Sequence, residues 1–195
     1  MFILYYNRGI FKMEYQISKG TPDISGRADK ERSVYSLLEK LGIEFEHIDH
    51  PAAETIAACD KINSVLGISI CKNLFLCNRQ KTEFYLLMLP GNKPFKTKEL
   101  SSQLGIARLS FADSEYMEKF LNILPGSVSV MGLMNDKENR VRLLIDTDLL
   151  KSEFIGCHPC VNTSTLKIRT ADITDKFLPA VSHGYTAVLF EQKEI

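Results

Sequence analysis

The chain has 195 residues, 45% hydrophobic and 25% charged, a composition that suits one soluble domain able to bury its own core. Its 24 Lys and Arg balance 24 Asp and Glu, which excludes a global field that would pull the protein onto nucleic acid. No apolar run reaches the length of a membrane span, and five cysteines without a secretory signal point to reduced thiols in a cytoplasm.

Met1 to Lys12 is apolar and aromatic, but Tyr5, Tyr6 and Asn7 interrupt it and no small-residue cleavage site follows, so it is not read as a signal peptide. Met13 offers an alternative start, and Gly20, Pro22, Ser25 and Gly26 give 14–27 the composition of a linker. Residues 1–27 are therefore expected to be a leader and linker outside a domain spanning 28–195. Val34, Leu37, Leu38 and Leu41 fall at i, i+3, i+4 and i+7, and Gly42 stops the helix they define. Ile43 to Asp49 alternates as a strand and ends at His50-Pro51. A second helix is expected from about Glu54 to Leu66, with Ile56, Ile62 and Leu66 inward.

Cys71–Cys77 and Glu83–Leu89 read as two strands of a hairpin joined by 78–82. Thr97 is placed to cap a helix that Gly105 ends, and Asp113 to cap another through Leu121. Pro125-Gly126 breaks the chain. Val128–Met134 and Arg140–Asp146 flank 135–139 as a second expected hairpin, and Glu153–Cys157 and Leu166–Arg169 flank a turn at His158. A helix from Asp172 to about Val181 and a strand Tyr185–Phe190 complete the chain. Strands in hairpins with irregularly interspersed helices indicate an α+β fold, not a doubly wound array.

Chemistry concentrates in a few places. Lys72 opens an apolar strand, where a lysine either snorkels to water or projects its cation into a polar cleft. His158-Pro159 leads into Asn162-Thr163-Ser164-Thr165, a cluster of donors and acceptors that also serves ordinary turn chemistry. Backbone N–H groups at the Pro125-Gly126-Ser127 bend suit an oxyanion or a phosphate as well as a simple turn. Lys93, Lys96 and Lys98 form a basic run beside Phe95, and Arg27, Lys30 and Arg32 form another; either is a solvated face or a phosphate contact. Cys157-His158-Pro159-Cys160 has CxxC spacing, but no second CxxC completes a zinc site, and turn-like residues follow where a redox motif opens a helix. No metal and no cofactor is expected.

The ordered set of Lys72-Asn73-Leu74-Phe75-Leu76, Leu124-Pro125-Gly126-Ser127-Val128, Gly132-Leu133-Met134-Asn135-Asp136, Ile145-Asp146, His158-Pro159 and Asn162-Thr163 resembles the free-standing prolyl-tRNA editing proteins. These are relatives of the prolyl-tRNA synthetase insertion domain and the YbaK-type deacylases. The resemblance covers about 28–191. It implies a mixed, barrel-like sheet with surrounding helices and hydrolysis of amino acids wrongly esterified to tRNA(Pro). The branch that removes alanine is the nearest, with a cysteine-removing branch and a non-catalytic binding module as the alternatives. It further implies catalytic roles for Lys72, Gly126, Ser127 and His158, and substrate contacts from Asn73, Gly132, Asn162 and Thr163. The implied partners are the acceptor end of mischarged tRNA(Pro) and, transiently, prolyl-tRNA synthetase, with no membrane. Val130 stands where relatives often carry proline, which leaves the loop shape and the amino-acid preference open.

Overall fold

The computed structural model describes residues 3–7, 10–52, 56–68 and 71–191, with side chains from 15 onward except 56–60. The glutamate expected to open the second helix, Glu54, lies outside the described residues. The stretch expected to be a leader forms an antiparallel hairpin of β1 (Ile3–Asn7) and β2 (Ile10–Glu14). Within the stretch expected to be a linker, β3 (Ser18–Lys19) pairs with β4 (Phe45–Asp49). Between them in sequence lies α1 (Asp29–Lys40), which turns Val34, Tyr35 and Leu38 inward. After β4 come α2 (Ile56–Leu66) and the antiparallel pair β5 (Cys71–Cys77) and β6 (Phe84–Pro90). Next are α3 (Thr97–Leu104), β7 (Ser110–Phe111) and α4 (Ser114–Leu121). A 3-10 helix at Val130–Asn135 leads to β8 (Val141–Asp146) and the short α5 (Thr147–Lys151). β9 (Phe154–Cys157) and β10 (Ser164–Arg169) form the hairpin around His158. A helical run follows as α6 (Thr170–Asp172), a π-helical turn Ile173–Phe177 and α7 (Leu178–Ala180), before β11 (Tyr185–Val188) closes the order.

The α+β class is as expected, but the main strands do not close into a barrel. They form a four-stranded antiparallel sheet, β3-β4-β10-β9, and a five-stranded mixed sheet, β11-β8-β6-β5-β7. The main core lies between them. It joins Phe75, Phe84, Leu86 and Met88 of one sheet to Phe45, Ile155, Leu166 and Ile168 of the other, with α1 and α4 alongside. A second cluster covers the far face of the five-stranded sheet, where Leu76, Tyr85, Leu87 and Leu89 meet Leu100, Leu109 and Phe190. β6 is thus buried on both faces, which explains its unbroken apolar run. On the far face of the four-stranded sheet, Ile62 and Leu66 of α2 pack on Ile48.

Two local expectations are corrected. Val128–Met134 is not a strand, and β8 pairs with β6 in parallel, not as a hairpin arm. Val130, Met131, Gly132 and Leu133 are all buried, so the one-in, one-out pattern of a half-exposed strand is absent. Ser129 Oγ accepts from the Met131 N–H at 3.2 Å and starts the 3-10 turn instead. Thr97 does not cap α3: Lys96 holds that position, and the Thr97 hydroxyl accepts from Arg108 Nε at 3.3 Å. Asp113 does sit at the cap position of α4, but its carboxylate pairs with Lys81.

The basic run is also corrected. Lys93 is 1% exposed and bonds Asp146 Oδ1 at 2.7 Å and Asp148 Oδ2 at 2.7 Å. Burial alone would lower the pKa of this ammonium, but the two carboxylates raise it. Asp146, 0% exposed at the end of β8, also accepts from Asp148 N at 2.9 Å and Phe190 N at 3.0 Å. One carboxylate thereby joins the loop after β6, the start of α5 and the segment after β11. Asp146→Ala should therefore cost about 3–5 kcal/mol of unfolding free energy in urea titrations, because it leaves Lys93 without its buried partner. Asp148→Ala, removing the half-exposed partner, should cost far less.

Candidate functional site

β5 begins next to the β9–β10 loop, and its alternation splits the first residues between two faces. Lys72 lies opposite Leu89, of the outer cluster, and Asn73 opposite Met88, of the main core. Cys71 shares the face of Asn73, its Sγ 3.8 Å from Asn73 Oδ1. Lys72 Nζ instead donates to the Lys93 carbonyl at 2.9 Å. The buried Lys93–Asp146 pair thus holds the acceptor that orients Lys72.

The loop from His158 to Thr163 connects β9 and β10, and Cys160 turns it with a φ of 63°. His158 Nδ1 lies 2.8 Å from the Ser164 carbonyl. A carbonyl only accepts, so Nδ1 carries the proton and Nε2 keeps its lone pair. His50 repeats the arrangement, with Nδ1 2.8 Å from the Pro51 carbonyl. Its Nε2 therefore accepts from the Thr165 hydroxyl at 2.9 Å, and Thr165 Oγ1 lies 3.5 Å from His158 Nδ1. The two rings stand 6.1 Å apart. Burial lowers both pKa values; the carbonyl bond opposes this at each ring, and for His158 the nearby His50 adds to the lowering. Both are neutral bases at pH 7.

Asn73 and His158 line a cavity of about 50 Å³ together with Ile62, Asn63, Cys71, Gly156, Cys157 and Thr165. Its two thiols are not thiolates: desolvation pushes Cys71 up to about 12 and Cys157 higher still. Cys160 is likewise pushed up to about 12 by burial. Redox and metal chemistry need the deprotonated sulfur, which this environment disfavours. Among the described residues no three His, Cys, Asp or Glu side chains converge as a metal set.

The other expected positions fall around this centre unequally. Gly126 turns its loop at a φ of 85°, and a Cβ built there would lie 3.6 Å from Asn162 Nδ2, so that loop and the His158 loop meet. Ser127 is buried in the same turn, its N–H donating to Leu124 O at 3.1 Å. Thr163 is exposed, and its carbonyl accepts from His50 N at 2.9 Å. Lys72 does not line the cavity. Gly132 is further away, inside the 3-10 helix, where a Cβ would come within 2.5 Å of Ile123 Cδ1 and 3.0 Å of Leu121 Cβ. A wider groove of about 780 Å³ lies elsewhere, along Lys19, Glu46, Phe154, Lys167 and Arg169, and its charges partly neutralise one another, as in the Lys167–Glu46 pair.

In the sequence His50 reads only as a strand end and Lys93 only as part of a basic run, whereas Thr165 already stands in the cluster of donors and acceptors after His158. One signal was present: His-Pro occurs twice, at 50–51 and 158–159, and the fold sets the two histidines side by side.

Residues 50–176 match the family model described as the aminoacyl-tRNA editing domain. The chain belongs to the aminoacyl-tRNA editing domain family. The matched span begins at His50 and contains every residue of the cavity. Prolyl-tRNA editing protein ProX of Acetoanaerobium sticklandii is 28% identical over 160 residues, covering 82% of this chain and 97% of that protein. Prolyl-tRNA synthetase associated domain-containing protein 1 of Danio rerio is 29% identical over 165 residues, covering 84% and 89%. The fold also matches a crystal structure of a candidate trans-editing enzyme for prolyl tRNA synthetase, with a TM-score of 0.62, 15% identity and coverage of 84% of this chain and 98% of that one. No helix among the described residues is long and apolar enough to cross a membrane.

Two outcomes follow from the site's packing. The buried histidines are neutral in the folded state and bind protons more readily when unfolded, so the stability they contribute is fully present above about pH 6.5 and is lost as pH falls below it. Thermal melts from pH 7.5 to 5 should show a falling Tm, with His158 accounting for at most about 1.4 kcal/mol per pH unit. His158→Gln should flatten the slope. Gly132→Ala should cost about 1–3 kcal/mol by overpacking against Leu121 and Ile123.

Proposed function

We propose that this chain is an aminoacyl-tRNA deacylase acting in trans on mischarged tRNA(Pro), with alanine as the amino acid removed. The observation that carries the reading is the small cavity beside the start of β5, walled by the tautomer-locked His158, within a chain of the editing family. The names of the two relatives, both tied to prolyl-tRNA, direct the reading to tRNA(Pro).

Lys72 and Asn73 straddle the start of β5, one on each face. In this reading Lys72 holds the phosphate or the 3′-terminal adenosine on one side, while Asn73 and His158 receive the aminoacyl group on the other. Gly126 offers its backbone N–H to the ester oxygen, Ser127, whose N–H is held by Leu124 O, fixes the turn that presents it, and Asn162 and Thr163 brace the loop. An aminoacyl ester is already activated, so it needs a positioned water and a stabilised oxyanion more than a protein nucleophile. The water oxygen bonds to the carbonyl carbon, the bond from that carbon to the ribose oxygen breaks, and the proton lost by water ends on the departing ribose oxygen. His158 Nε2, unprotonated and aimed away from its carbonyl partner, is the group placed to orient the water or the substrate amine.

A cavity of about 50 Å³ lined by Ile62, Asn63 and Thr165 favours a small side chain such as that of alanine. A synthetase pocket shaped for proline rejects alanine only weakly, since lost apolar contact is worth about 1–3 kcal/mol, and a second, smaller pocket reverses that order. The net charge of zero fits an enzyme that meets its tRNA as prolyl-tRNA synthetase releases it, in the cytoplasm.

The deciding experiment is a deacylation panel on tRNA(Pro) charged with alanine, cysteine, serine or proline. Alanine should be released fastest and proline spared; preference for cysteine would reassign the substrate, and no turnover of any substrate by folded protein would end the deacylase reading. Lys72→Ala should lower the rate on the preferred substrate by about a hundredfold or more. Wild-type rates in that variant would remove the lysine from its role.

A further inference from the structure

Phe111 is the most exposed large apolar side chain among the described residues, at 61%. It belongs to β7 and stands opposite Leu76, so it shares a face of β5 with Leu76, Leu74 and Lys72. Phe95 meets it edge to face at a centroid distance of 6.1 Å, and Phe95 is itself backed by Phe190 at 5.8 Å. The rings are therefore fixed from below and open above. Cations adjoin them in the chain: Lys96 and Lys98 follow Phe95 and are exposed at the start of α3, and exposed Arg108, just before β7, reaches the same helix through Thr97 Oγ1 at 3.3 Å. Glu99 is the one carboxylate at that end of α3. Phe95 leans on the outer core cluster, but Phe111 and the cations are used neither by that core nor by the proposed chemistry.

We propose that Phe111 and Phe95, with Lys96, Lys98 and Arg108, form a platform for the single-stranded 3′ end of the tRNA. The proposal rests on the tRNA reading above and extends it to the path that the RNA takes to Lys72. Aromatic faces stack bases without sequence preference, and neighbouring cations take the phosphates between them. From Lys72 to Leu76 the strand advances about 13 Å, at roughly 3.3 Å per residue. That is the length of about four stacked nucleotides at roughly 3.4 Å each. A strand stacked first on Phe111 thus reaches Lys72 with its terminal nucleotide. A buried protein interface would be depleted of lysine at its centre; three cations adjoining two rings in the chain favour a polyanion.

The test uses fluorescently labelled, uncharged tRNA(Pro), intact or lacking its four unpaired 3′ nucleotides, in equilibrium binding with the full chain. The wild type should bind the intact tRNA more tightly. Phe111→Ala should weaken that binding by roughly five- to a hundredfold, leave the truncated tRNA unaffected and keep Tm unchanged, since the ring is exposed. Lys96→Gln should reduce the slope of log affinity against log salt by about 0.7. Equal affinity of the wild type for both RNAs, or unchanged binding in Phe111→Ala, overturns the proposal. So does a Phe111→Ala variant that keeps tRNA but loses prolyl-tRNA synthetase, which would make the patch a protein interface. Because uncharged RNA is the probe, absence of deacylation alongside the expected binding pattern would remove the enzymatic reading and leave the platform standing.

Discussion

The buried pair between Lys93 and Asp146 is the contact on which the candidate site depends. Both side chains are removed from water, and their direct bond is 2.7 Å. Such a pair adds little to stability over well-packed apolar residues, because desolvation offsets most of its attraction. Its consequence here is geometric. Asp146 bonds three chain segments into one corner, and the Lys93 carbonyl that this corner holds is the acceptor for Lys72. A cation at the start of β5 would otherwise sample many rotamers; here it is directed to one place.

Across the strand the constraint is a proton position. Two histidines each give Nδ1–H to a backbone carbonyl, and burial keeps both rings neutral. Thr165 lies between them and couples their orientations. The result is a small cavity with a defined acceptor and protonated thiols, and no charged side chain among its lining residues. This agrees with the needs of an activated ester, for which placement matters more than nucleophile strength.

Much of the fold was legible because local patterns and tertiary demands agreed. The stripe Val34, Leu38 in α1, the double-faced apolar run of β6 and the turn before Phe84 each encode their element within a few residues. Legibility failed where long-range packing overrode the pattern. Val128–Met134 has the composition of a strand, but burial of four consecutive residues, Val130 to Leu133, and the close approach at Gly132 go with a 3-10 helix from Val130 instead. Lys93 looked like part of a basic surface because nothing nearby in sequence names its partner, Asp146, which lies 53 residues on. Lys96 and Lys98, three and five residues on, do remain in solvent.

The sequence by itself determined the class of the protein: an α+β chain of zero net charge carrying, in order, the segments shared with the aminoacyl-tRNA editing family. It placed Lys72 at the start of a strand and His158 in a turn between two strands. Only the tertiary structure decided how they relate. Strand alternation is local and puts Lys72 and Asn73 on opposite faces, but which face meets His158 depends on how the two sheets pack. His50 enters the site only because β4 and β10 pair in one register, bringing Thr165 beside Ile48 and so within reach of the ring two residues on. That register is set by burial of Ile48 and Leu166 on opposite faces, a property of the folded layers and not of any segment alone.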